Sequence, residues 1–129
     1  MKNHSHLQAD NIQLRFGSNK VLHGLSLTVE QGDIVGLIGP NGAGKTSLLN
    51  IMSGILKPQS GNIYLNGEDL WAIEAKARAR KVAMVPQDPA IPEGFTVLEV
   101  VLMGRHPHLG FLQWEGITDL EVCHRVMGL

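Results

Sequence analysis

The sequence offers a single cysteine, Cys123, which excludes an internal disulfide framework and suits a reducing compartment. It also lacks a surplus of charge of either sign: 11 Lys and Arg stand against 12 Asp and Glu, a formal net charge of -1. With no broad basic field, a nucleic-acid partner is not expected. No apolar run approaches the roughly 20 residues that a membrane-spanning helix needs. The opening stretch "MKNHSHLQADNIQLRF" has no apolar core of a secretory signal. Repeats, low-complexity tracts and linkers are missing too. The expectation is a soluble, cytosolic chain of 129 residues, 43% apolar and 18% charged, long enough for one large core but not two.

Other chemistries are excluded in the same way. Two His-x-His pairs, His4 with His6 and His106 with His108, could start a metal site. A structural zinc centre wants four close ligands, and nothing in the sequence supplies the rest. A tail and a polar loop are the plainer readings. No nucleophile–base pair for covalent catalysis stands out. Trp71 and Trp114 are expected to pack, and "KARARK" to be the solvated face of an alanine-rich helix.

What is present alternates between strand and helix periodicity. "NIQLRF" places Ile12, Leu14 and Phe16 on one face, and "VLHGLSLTV" resumes alternation after the turn "GSNK". The first part of the chain is therefore expected to be an antiparallel pair or meander. "IVGLIG" is a continuous apolar run, the pattern of a strand buried on both faces. "KTSLLNIMSGIL" carries Leu48, Leu49, Met52, Ile55 and Leu56 at helical spacing. "NIYLNG" predicts a short strand ending in an Asn-Gly turn, "WAIEAKARAR" a helix, and "VAMV" a second short buried strand. The proline-rich "PQDPAIPEG" cannot be regular. Capping boxes at Thr96–Glu99 and Thr118–Glu121 predict two further helices, with "GRHPHLGFLQWEG" as a loop between them.

Between the apolar strand and the first helix lies "GPNGAGKTSLL". Gly39, Gly44, Lys45 and Thr46 meet the pattern G-x-x-x-x-G-K-[ST]. Side chains would keep an anion off the backbone, so glycines let several N–H groups point at one phosphate. The helix N-terminus adds partial positive charge. Lys45 brings a full charge to the β- and γ-phosphates, and the Thr46 hydroxyl is placed to ligate Mg²⁺.

The longer stretch "GPNGAGKTSLLNIMSGILKPQSGNIYLNG" resembles the P-loop region of ATP-binding cassette (ABC) transporter ATPases, and the likeness runs from about Asn11 to the last residue. It implies an α/β fold: a P-loop NTPase (RecA-like) core with an N-terminal antiparallel β-subdomain and the start of a helical subdomain, incomplete at the C-terminus. Residues 1–10 would be a tail, 11–95 the β-subdomain and core, and 96–129 the start of the helical part. The resemblance implies ATP and Mg²⁺ as ligands, with Gly39, Pro40, Asn41, Gly42, Ala43, Gly44, Lys45, Thr46 and Ser47 around the nucleotide. Phe16 takes the position where the family stacks an aromatic ring, more often tyrosine, on adenine. Gln87, in "VAMVPQD", falls on the Q-loop glutamine, whose amide reaches Mg²⁺ or the attacking water and whose loop moves with the membrane subunits. Thr46 and Gln87 would be the Mg²⁺ contacts, and Lys45 and Gln87 the catalytic ones. "MGRHPH" is similar to importers of ferric siderophores, haem and cobalamin, and an exposed basic loop there could dock onto membrane subunits.

The partners so implied are a second nucleotide-binding subunit and transmembrane permease subunits, at the inner face of the cell membrane. Three elements of the family site are not found in the sequence: an apolar strand ending in Asp-Glu, an LSGGQ-type signature and a later histidine. The expectation is the N-terminal portion of a nucleotide-binding domain, inactive alone. Two alternatives stay open: a different P-loop enzyme such as a small kinase, and a non-catalytic nucleotide-binding fragment.

Overall fold

The computed structural model describes residues 6–89, 91 and 93–128. The chain divides into two compact units between Arg78 and Ala79. The first unit is built on a four-stranded antiparallel sheet in the order β2-β1-β3-β4, from β1 (His6–Phe16), β2 (Asn19–Glu30), β3 (Ser60–Leu65) and β4 (Glu68–Asp69). Of the expected antiparallel pair or meander the pair is present, β1 with β2, with β3 on the other side of β1 rather than beside β2, and it starts earlier than the alternating residues indicate. Residues 6–10, expected to be tail, pair with β2 and β3: His6 faces Glu30 and Leu7 faces Leu65. His4 lies outside the described residues.

The early start was hidden by a bulge. Ala9 pairs with Leu27 and Ile12 with Leu25, so Asp10 and Asn11 together oppose Ser26. The extra residue breaks the two-residue period, yet Ala9, Ile12 and Leu14 are all buried. Asn11 adopts φ 50, and its N–H donates to Ser26 Oγ at 2.8 Å. Opposite the bulge on β3 sits Gly61, at φ 87; a Cβ there would lie 2.4 Å from the Asn11 carbonyl oxygen. The β3–β4 turn follows its sequence signature, with Asn66 at φ 55 and Gly67 at φ 83, as a two-residue hairpin loop with both central residues at positive φ demands.

One helix of this unit, α1 (Lys45–Met52), buries Leu48, Ile51 and Met52. Together with Ala9, Ile12, Leu14, Leu22, Ile63, Leu70 and Ile73 these form the unit's buried apolar set, each of the larger residues contributing about 1.5–3 kcal/mol by burial. The helix is shorter than "KTSLLNIMSGIL": Gly54, at φ 76, ends it, and Ile55 is exposed. "WAIEAKARAR" yields only the short helix α2 (Ala75–Ala79).

Two expected strands are not formed. Residues 34–39, "IVGLIG", have no regular structure, and Ile34 and Ile38 are fully exposed. "VAMV", in the second unit, is likewise irregular, with Val85 exposed. A parallel strand exists only through ladders to its neighbours. Among the described residues no strand pairs with either segment.

The second unit contains α3 (Val97–Met103) and α4 (Ile117–Met127), joined by a loop with a single 3₁₀ turn at His106–His108. The Thr96–Glu99 capping box is complete: the Glu99 N–H donates to Thr96 Oγ1 at 3.3 Å, and the Thr96 N–H to Glu99 Oε2 at 2.7 Å. The box expected at Thr118–Glu121 does not form; the helix starts two residues earlier with only one half of such a box. Gly116 is the N-cap, and its N–H donates to Asp119 Oδ2 at 3.0 Å. Arg105 is not the exposed loop cation that was expected. Its Nε donates to Asp119 Oδ1 at 2.8 Å, tying the end of α3 to the start of α4. Both hydrogen bonds favour the charged carboxylate, so Asp119 titrates below the usual range, with the Gly116 N–H the larger cause.

Candidate functional site

The site grows out of the junction between residues 39–44 and α1. Gly44 stands immediately before the helix at φ 85 and ψ 11, a left-handed conformation that side chains resist. Space forbids a side chain as well, since a Cβ would meet Val21 Cγ1 at 2.8 Å and Leu22 Cδ2 at 2.9 Å. The helix start is thereby pressed against β2. Gly42, at φ 82, supplies the second left-handed step, and the Ala43 N–H closes a turn onto the Pro40 carbonyl at 3.2 Å.

Lys45 opens the helix and folds back over the loop. Its ammonium donates to the carbonyls of Gly39 and Pro40, each at 2.7 Å. The charge is therefore held across the mouth of the loop by two backbone oxygens. The first turn carries no acidic residue and no side-chain cap. By helix geometry the N–H groups of that turn have no partner within the helix. Their positive ends, the helix dipole and the ammonium converge on one region, an arrangement that fits a multiply charged phosphate. Thr46, at the second helical position, is exposed, and Ser47 is half-buried. A hydroxyl there suits a hard cation accompanying the phosphates.

Phe16 is the last residue of β1 and is 56% exposed. Its place at the end of an alternating face allowed a core role; the structure puts the ring outside the core. Gly39, Pro40, Asn41, Gly42 and Ala43 are exposed around the loop. The first unit thus holds Phe16, the loop and α1. Gln87 belongs to the second unit, exposed in an irregular segment beside Asp88 and Pro89. Among the described residues no cluster of His, Cys, Asp or Glu could hold a metal, so a cation at the loop depends on hydroxyl, amide and phosphate oxygens. No helix among them is long and apolar enough to cross a membrane.

Arg78 belongs to no motif of the sequence. It was expected on a solvated helix face, but the guanidinium lies 4.7 Å from the Trp71 ring centroid and against Gly54 at the end of α1. No residue spacing signals this, because Trp71 precedes the helix.

Residues 22–126 match the family described as ABC transporter. Among curated proteins, the cobalamin import ATP-binding protein BtuD of Halobacterium salinarum is 36% identical over 121 residues, covering 94% of this chain and 30% of that one. The hemin import ATP-binding protein HmuV of Pseudomonas putida is 45% identical over 102 residues, covering 79% of this chain and 40% of its own length. The chain thus spans well under half the length of these relatives. A solved nucleotide-free ATP-binding cassette from an ABC transporter superposes with a TM-score of 0.70 at 31% identity, over 92% of this chain and 46% of that structure.

Proposed function

The chain belongs to the ABC transporter family, and on that premise we propose that it supplies the nucleotide-binding part of an import ATPase, coupling ATP hydrolysis to uptake of a metal chelate of the siderophore, haem or cobalamin kind. The observation that carries the reading is the phosphate loop: an uncapped helix start, two left-handed glycines and an ammonium held over the loop mouth. The cargo class rests on the importer relatives and on "MGRHPH". The kinase alternative falls with the family match.

In this reading the N–H groups at the start of α1 and the Lys45 ammonium bind the β- and γ-phosphates, and the Phe16 ring stacks on the base. Thr46 would hold Mg²⁺, which when bound would supply neutralising charge to the phosphates. Lys45 must shift from the Gly39 and Pro40 carbonyls toward the phosphates, exchanging neutral acceptors for charged ones. Gln87 would offer an amide to a cation or to water, and its contribution would fall on turnover more than on affinity. A second nucleotide-binding subunit and permease subunits are the partners of such an ATPase, which would work at the cytoplasmic face of the membrane.

The test is Mg-ATP binding by calorimetry. Lys45→Ala removes a charge-assisted contact worth about 1.5–3 kcal/mol. The dissociation constant is expected to rise roughly 10- to 150-fold. An unchanged constant would refute the assignment of Lys45.

A further inference from the structure

The end of α1 remote from the phosphate loop has a built anchor that the proposed chemistry does not use. Gly54, two residues past the helix, is crossed by the Arg78 side chain so closely that a Cβ would lie 2.7 Å from Arg78 Nε and 2.8 Å from Cδ. The guanidinium stacks 4.7 Å from the centroid of Trp71, and its Nη1 donates to the Leu70 carbonyl at 3.3 Å. Lys57 Nζ lies 5.9 Å from the same ring. The Trp71 indole N–H is buried and makes no hydrogen bond among the described residues. The ring is therefore oriented by the cations at its faces rather than through its polar edge.

A cation at this place meets the negative end of the α1 dipole. An eight-residue helix is about 12 Å long, so what fixes one end sets the position of the other. Burial of Leu48, Ile51 and Met52 fixes which face of α1 points inward. A side chain packed across the end of the helix, itself held by Leu70 and Trp71, restrains its position along the axis. We propose that Arg78 is a positioning residue of the nucleotide site: stacked on Trp71 and laid across Gly54, it pins the far end of α1 and so sets Lys45 and Thr46 at the phosphate end. The inference rests on the nucleotide reading above.

The experiment uses the full chain with Trp114→Phe, which leaves Trp71 as the only tryptophan. Mg-ATP is titrated while Trp71 emission and calorimetric heat are recorded. Nucleotide is expected to change Trp71 emission. Arg78→Gln should abolish that response and weaken binding about 2- to 30-fold, the range of couplings carried through packed elements. Arg78→Lys, which keeps the cation, should recover most of the affinity. Trp71→Leu, measured by calorimetry, should weaken binding in the same direction, and it carries the test if Arg78→Gln does not fold. Parental affinity in Arg78→Gln or in Trp71→Leu overturns the inference, as does emission that ignores a nucleotide the calorimeter shows to bind. A parental chain that binds no nucleotide overturns the nucleotide reading and the inference together, and is recognised by the missing heat alone.

Discussion

At the scale of single residues, two glycines at positive φ carry unequal demands. Gly44 is legible in the motif, and the structure adds the reason of space against Val21 and Leu22. Gly61 belongs to no motif. Its need arises from the Asp10–Asn11 bulge across the ladder, where backbone oxygens of both residues would sit within 2.5 Å of a Cβ. Backbone cannot swing aside as a side-chain tip can. Gly61→Ala should therefore cost roughly 2–4 kcal/mol, combining left-handed strain with displacement of β1. Gly17 also has positive φ, but a Cβ there meets nothing within 4 Å. Gly17→Asn is expected to stay within about 0.5 kcal/mol, since Asn tolerates the left-handed region. Denaturant unfolding of the two variants checks the contrast; equal losses would show that backbone conformation, not space, governs Gly61.

At the scale of elements, the helix caps set a pH dependence. Glu99 is held below the ordinary carboxylate range by the Thr96 N–H first and the Thr96 hydroxyl second, and Asp119 by the Gly116 N–H and then Arg105. Each carboxyl binds its proton more weakly folded than unfolded, so the unfolded chain takes up more protons on acidification. The stabilisation is fully present above the unfolded value, near pH 4, and is lost as pH falls through the lower folded value. Helical circular dichroism should therefore hold to about pH 5 and decline below pH 4, with a smaller acid-dependent loss in Asp119→Asn. An acid profile unchanged by that substitution would remove Asp119 from the account.

The same two helices show what the sequence made readable. Thr96 and Glu99 stand three apart before an apolar run, and the box forms as read. Thr118 and Glu121 have the same spacing, but Asp119 takes both the Gly116 N–H and Arg105. That competition depends on a residue fourteen positions away, beyond any local pattern. Sheet pairing divides likewise. The Asn66–Gly67 turn is a local signature and was legible, whereas the bulge in β1 is set by β2 and β3 together. The phosphate loop was readable because its requirements are local: φ at Gly42 and Gly44, and charge at Lys45. The Arg78–Trp71 stack was not, being tertiary.

At the scale of the whole molecule, apolar runs that read as buried strands instead face outward. Ile34, Val35 and Ile38 in the first unit are exposed, as is Val85 in the second. Extended apolar backbone with free N–H and C=O groups pairs readily with other chains. Purified residues 1–129 are expected to bind a hydrophobic dye and to associate as concentration rises, with a broad thermal transition. We propose that residues 1–129 by themselves do not sustain ATP turnover, since the phosphate loop supplies binding groups but, among the described residues, no acidic group beside them to polarise water. Phosphate binding alone stabilises the ground state as much as the reacting one and lowers no barrier. Light scattering and phosphate release with Mg-ATP measure both halves. A monomeric chain with a sharp melt would show that the 34–38 segment is covered within the chain itself. Turnover that persists in the parent and vanishes in Lys45→Ala would show that these residues already orient the attacking water, and would turn attention to Gln87 as the group that does so.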